Sequence, residues 1–344
     1  MIEQLPIPSL FLIFLLSSAV IWVVGVKITH LIDFITVQFN LGEAFGGMIL
    51  LTIITNLPEV AITFVASLKH NYDVAISNII GGIAIQTVVL VAIDIFGVGR
   101  SAPLTWKGHS RVLILEGIAL IFILTLIIMG KQLEGHLNHQ FAGPIEYLIV
   151  FIWLFSVYQL SKIGREDESK NTEIKVVHHA KNPTRKFKGS PSKAILWVAL
   201  GSIAILISGT TLEMSGVALS NHYGINGVLF GGTILALCTA LPEISTGIAS
   251  AKIRDYNMAV SDIFGGNAFL PVLFFFASFL NGSSILSHLT SSDIYLACVG
   301  IILTGIYLVG MVLPNSKQIW QMGKDSFLVL LIYLISLWGL VVLS

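Results

Sequence analysis

LTIITNLPEVAITFVASLKHNYDVAISNIIGGIAIQ, residues 51–86, and LALCTALPEISTGIASAKIRDYNMAVSDIFGGNAFL, residues 235–270, are two copies of one segment. Aligned without a gap, they share Thr55/Thr239, Leu57/Leu241, Pro58/Pro242, Glu59/Glu243, Tyr72/Tyr256, Ser77/Ser261 and the glycine pairs Gly81-Gly82/Gly265-Gly266. Each copy sets a proline and a glutamate inside an apolar stretch, the least hospitable place for either. The rest of the chain has the same apolar character. Its 344 residues are 55% hydrophobic and 11% charged, where soluble domains carry about 25% charged residues. A polytopic membrane protein is the class this composition leaves. Nineteen basic residues balance nineteen acidic ones, so no net charge recruits nucleic acid, and soluble enzymes are excluded with the nucleic-acid binders. Cys238 and Cys298 lie in apolar runs without C-x-x-C spacing and predict neither a disulfide framework nor a thiolate metal site. Met1-Ile2-Glu3 offers no basic n-region, and the apolar run after it outlasts a signal-peptide core, so the first helix is expected to be retained.

At about 20 residues per crossing, the apolar stretches predict about ten helices, near 7–36, 42–68, 74–97, 111–130, 143–163, 193–219, 226–252, 257–280, 292–313 and 325–343. The expected fold class is all-α, because backbone amides left unpaired in hydrocarbon are too costly for open sheets. The hydrophilic segment 164–192 is rich in Lys and Arg, which places it in the cytoplasm and the amino terminus outside. Arg100, Lys107, Arg111, Lys252, Arg254, Lys317 and Lys324 then also fall inside, against Lys69 and Lys131 outside. The predicted organisation is a five-helix repeat over 1–163, a cytoplasmic linker over 164–192 and a second five-helix repeat over 193–344. An odd helix number per unit makes the repeats inverted, the sequence pointer to a secondary transporter with its substrate near the midplane.

Glu59 and Glu243 are the residues that carry chemistry. A lone carboxylate among apolar neighbours in a membrane is costly unless it takes a proton or a cation. Pro58 and Pro242 remove an amide donor and free carbonyls around Ile54–Thr55 and Cys238–Thr239. Two carboxylates, carbonyls and threonine hydroxyls make an all-oxygen cage suited to a hard divalent cation such as calcium, with two negative charges against two positive. The bland reading is a protonated glutamate in a helix kink; a symmetric pair argues against it. Asn78, Gln86 and Asn267 either extend a cation path or bond between helices, and the glycine pairs permit close approach or local unwinding. Asp262 is expected as a vestibule charge. Glu213, without a matching acid in the first half, is read as a proton carrier or a helix tether. Asp94 and Glu116 near the inner surface and Glu146 near the outer are read as snorkelled or loop-paired charges. Most of the nine histidines, among them His109, His136, His139, His178, His179, His222 and His288, fall in predicted loops without transition-metal spacing.

The two T-x-L-P-E segments, each followed by an A-[IV]-S-[ND]-I-[IF]-G-G helix, resemble the alpha-repeats of the calcium:cation antiporter superfamily, which includes sodium/calcium exchangers. The resemblance covers about seventy residues closely and the five-plus-five architecture throughout. It implies that Glu59 and Glu243 bind calcium and the competing counter-ion and that Thr55 and Thr239 add ligands; Asn56, Gln86 and Asn267 are counted with the same metal set as further polar candidates. It further implies alternating access, in which the first and sixth helices slide across the remaining bundle. The chain departs from the family pattern at Asn56 and Ala240, where serine is common, and at Ile83 with Gln86 and Leu270 in the second motif. Hydroxyl ligands for sodium are thereby lost, which shades the counter-ion towards protons with sodium still open.

The expected function is secondary exchange of calcium against protons or sodium in an inner or plasma membrane. No cofactor, no enzymatic activity, no nucleic acid and no obligatory protein partner is expected; the partners are the transported cations and membrane lipid. Exchange of sodium, potassium, magnesium or manganese against protons is the alternative in the same class. An intramembrane enzyme or a channel is the alternative outside it, although G-x-G-D, H-E-x-x-H and G-x-S-x-G patterns are all missing.

Overall fold

The computed structural model describes residues 5–39, 51–133, 142–170, 189–252 and 254–343. The start of the predicted second span, most of the basic linker, His136, His139, His178, His179 and the amino-terminal tripeptide lie outside these residues. Within them the chain is almost entirely helical: α1 (Ile7–Gln38), α2 (Leu51–Thr55), α3 (Leu57–Leu68), α4 (Tyr72–Ile93), α5 (Leu104–Lys107), α6 (Arg111–Leu133) and α7 (Pro144–Lys170) form the first half. The second half holds α8 (Pro191–Tyr223), α9 (Gly227–Phe230), α10 (Ala236–Thr239), α11 (Leu241–Lys252), α12 (Tyr256–Phe269), α13 (Val272–Asn281), α14 (Ser291–Val312) and α15 (Lys324–Leu343).

Seven stretches are long and apolar enough to cross a membrane unbroken, and α9–α10 with α11 form an eighth span, bent by 43°. The apolar helices α3 and the 144–160 part of α7 are shorter. These segments fall on the ten predicted spans in order, with three differences. The second and seventh spans are not continuous helices but stop at Asn56 and Ala240 and restart at Leu57 and Leu241. The eighth turns at Leu270 and Pro271 between α12 and α13. A two-residue hairpin, β1 (Gln318–Ile319) with β2 (Met322–Gly323), precedes α15.

Burial separates the helices into shells. In their most apolar windows, 78% of residues are buried in the α4 span and 72% in the α12–α13 span, against 33% in α1 and 22% in both α8 and α15. The helices carrying the glycine pairs therefore form the centre, and α1, lying along α8, is on the outside. Gly81 explains how the centre closes. A side chain begun there would stand 2.2 Å from the Gly232 Cα, so the backbones of α4 and the π-helical turn Gly231–Leu235 meet with no side chain between them.

The buried acids away from the centre are accounted for. Asp94 accepts from the backbone amides of Leu104 (2.8 Å) and Gly323 (2.7 Å) and from Ser326 Oγ (2.7 Å), fastening two connections to the end of α4. Glu146 accepts from Ser278 and Ser284. Both are loop-paired as expected. Glu213 forms an ion pair with Lys69 at 3.1 Å, joining α8 to the end of α3. Two expectations fail. Glu116 does not snorkel: it is 3% exposed and faces α12, because its helix turns that position inward. His222 sits in the last turn of α8 and His288 in the 3₁₀ turn Ile285–His288, neither of them in an irregular loop.

Candidate functional site

The two helix breaks make the site. At Asn56 (φ −84°, ψ 10°) and Ala240 (φ −77°, ψ 0°) the chain leaves helical geometry for one residue, and Leu57-Pro58-Glu59 and Leu241-Pro242-Glu243 begin new helices. Proline is well suited to a helix's first turn, where its missing amide would have no partner in any case. The backbone bonds Asn56 N→Thr52 O and Val60 N→Asn56 O carry the chain across the first break, and Ala240 N→Ala236 O and Ile244 N→Ala240 O across the second. Each glutamate thus lies in the first turn of a half-helix, where the exposed amides and the helix dipole favour negative charge.

Both glutamates are 0% exposed, as are Asn56, Gln86, Thr239 and Asn267, while Thr55 is 2% exposed. The breaks interlock across the halves. The Thr239 side chain lies beside the Glu59 carboxyl and the Thr55 side chain beside the Glu243 carboxyl, and the two carboxyls are within electrostatic range of each other. Yet each hydroxyl donates to a carbonyl of its own helix, Thr55 to Thr52 O at 3.2 Å and Thr239 to Ala236 O at 3.0 Å.

Gln86 reaches in from α4, its Nε2 3.3 Å from Glu59 Oε1 and 3.4 Å from Asn56 Oδ1. Asn56 in turn donates to Thr52 O at 2.8 Å. From α12, Asn267 donates to Thr87 Oγ1 (3.1 Å) and to the Ile83 carbonyl (3.3 Å). Gly266 lets α12 approach, since a side chain there would begin 2.9 Å from Asn56 Nδ2. After these bonds, Glu59 Oε2, both Glu243 oxygens, Gln86 Oε1 and Asn267 Oδ1 remain buried without a donor. Six of the seven residues read from the sequence as ligands adjoin the two breaks, while Asn267 bonds to Ile83 and Thr87 of α4. Among the described residues no group of three or more His, Cys, Asp and Glu side chains is placed to hold a metal ion.

The structure adds a neighbour and removes a vestibule. Asp262 is buried, accepts from Thr246 Oγ1 at 2.9 Å, and stands close to Thr55 and Glu243. Its register with Asn78 in the repeat was the signal: equivalent positions on two central helices face inward together. Leu270 fills the place equivalent to Gln86 and is wholly buried, its Cδ1 3.8 Å from where a Gly82 side chain would start.

Comparison with known proteins places this architecture. The Escherichia coli (strain K12) inner membrane protein YrbG is 26% identical over 235 residues, 68% of each chain. Among solved structures, the sodium-calcium exchanger NCX_Mj superposes with a TM-score of 0.64 over 97% of this chain and 99% of its own, at 16% identity. An H+/Ca2+ exchanger, CAX, gives 0.64 over 97% and 86%, at 12% identity. At such identities the two superpositions establish the fold. The family model for the sodium/calcium exchanger protein matches residues 9–160 and 193–342, nearly the whole chain on either side of the linker. With both halves matched, this chain is an integral membrane protein of the sodium/calcium exchanger family.

Proposed function

We propose that the chain is a secondary antiporter that exchanges calcium against protons or sodium at the paired helix breaks. One observation carries the reading: oxygens face oxygens. The Thr55 and Thr239 hydroxyls lie beside the carboxyls but within reach of carbonyls of their own helices, and three of the four carboxylate oxygens of Glu59 and Glu243 are buried without a donor. Such a set is stable when a cation or protons sit among the oxygens, and exchange between those two occupants is what an antiporter requires. Glu59 and Glu243 supply the charge, with Thr55, Thr239, Asn56, Gln86 and Asn267 as the neutral ligands. Named relatives include exchangers of both sodium-calcium and H+/Ca2+ type. The amides at Asn56 and Gln86 and the apolar Leu270 replace hydroxyl or carboxyl ligands that sodium would use, which favours protons.

In this reading 1–163 and 193–344 are inverted five-helix repeats, 164–192 is a cytoplasmic linker, the amino terminus is outside, and α1 with α8 slides over the bundle to expose the site to each side in turn. Radioactive calcium flux into proteoliposomes, under an imposed pH gradient or separately a sodium gradient, tests it. Flux driven by one gradient names the counter-ion. Calcium that stays put under both, with another cation moving instead, replaces calcium as the substrate; dissipative flow without counterflow replaces the antiporter with a channel.

A further inference from the structure

Glu116 is a buried carboxyl that the paired site does not use. It projects from α6 towards α12 and accepts one hydrogen bond, from Ser261 Oγ at 2.7 Å, while Oε2 has no donor. Asp94 and Glu146 are also buried, but each fastens a connecting segment. Glu116 fastens none, and the equivalent position in the second half is Gly300. On the helices packed against α6, the ionisable side chains described at this end include Tyr307 on α14, Tyr256 and Asp262 on α12, and Tyr158 and Lys162 on α7. Tyr307 donates to Ser326, Asp262 accepts from Thr246, and Lys162 is exposed, as is Arg111 on α6 itself. Among the described residues, the one hydrogen-bond partner of Glu116 is Ser261. A carboxylate so placed needs a counter-charge from somewhere else.

The buried part of the helix beside it has one half-buried position. From Ala259 to Phe274 every residue is buried except Gly265. The point where a Gly265 side chain would begin lies 3.4 Å from Thr52 Oγ1, itself without a partner, and 4.0 Å from Glu116 Oε1. A gap bounded by a hydroxyl and a carboxyl suits water better than an acyl chain. The next residue, Gly266, abuts Asn56 and Gln86, so this gap and the paired site lie on consecutive residues of α12.

We propose that Glu116 is a further proton-exchanging carboxyl of the transporter, protonated when the paired site holds no cation and deprotonated when a divalent cation fills it. Two positive charges one residue along α12 act on Glu116 through an interior of low dielectric and favour its ionised form. The O–H bond breaks, the electron pair stays on the carboxylate, and the proton leaves to water through the gap at Gly265. This role rests on the reading of the paired site as a cation site.

The test mixes purified full-length protein, in weakly buffered detergent, with calcium chloride, reads proton release with a pH dye and measures calcium binding by calorimetry. Glu116→Gln is expected to bind calcium and to release one proton fewer per molecule than wild type. Equal release from both, with calcium bound by both, overturns the role of Glu116 and leaves the paired site standing. A wild type that binds no calcium overturns the paired site for that ion, and this inference falls with it. Should Glu116→Gln not fold, Gly265→Ala keeps the acid and fills the gap: stopped-flow release slowed several-fold supports the route, and an unchanged rate overturns it.

Discussion

Glu59 and Glu243 are wholly buried and three of their four carboxylate oxygens have no donor, so in the proposed mechanism their charge, not their shape, is the quantity to remove. Glu59→Gln and Glu243→Gln keep the volume and relieve an uncompensated buried charge. Both variants are expected to elute as folded protein by size exclusion. Each is expected to slow calcium flux in proteoliposomes about 100-fold or more, as a loss of ~3 kcal/mol of buried charge interaction would do. A wild-type rate in either removes that glutamate from the mechanism. This pair was legible in the sequence because it occurs twice, each time behind a proline. Asp262 and Glu116 were misplaced because position along a helix gives depth and not direction. Nothing in one sequence says which side of α6 faces α12, and only packing fixes that Glu116 meets Ser261 and not the headgroups.

Among elements, the spans were readable from hydropathy, whereas the form of their interruption was not. A proline inside an apolar run predicts a disturbance upstream, and it falls at Asn56 and Ala240, two residues before prolines that themselves open new helices. The contact between α4 and the π-helical turn was equally hidden, since Gly232 lies outside the quoted repeat. Gly81→Ala tests that contact. Its methyl would stand 2.2 Å from the Gly232 Cα, so the helices must separate, and overpacking of this kind costs about 1–3 kcal/mol. A lower melting temperature in detergent is expected; an unchanged one means the helices part freely. Asp94→Asn is the corresponding test where α4 ends. Asp94 Oδ2 accepts from both Gly323 and Ser326 and Oδ1 from Leu104, and an amide can serve only one of those sides. The expected loss is about 1–3 kcal/mol of stability, with faster hydrogen exchange confined to the segments around Leu104 and Gly323.

For the whole molecule, the balance of basic residues between connections argues for an external amino terminus and a cytoplasmic 164–192 segment. Single cysteines in place of Ser9 and of Ser190, in a Cys238→Ala/Cys298→Ala background, are expected to react with a membrane-impermeant maleimide from opposite sides of sealed vesicles. Reaction of both from one side overturns the five-plus-five arrangement. The reciprocal placement at the centre, Thr239 beside Glu59 and Thr55 beside Glu243, has an evolutionary side. Each half keeps its own acid but borrows its hydroxyl from the other, so neither half makes a complete site alone. A mutation of the threonine in one copy is therefore felt at the glutamate of the other.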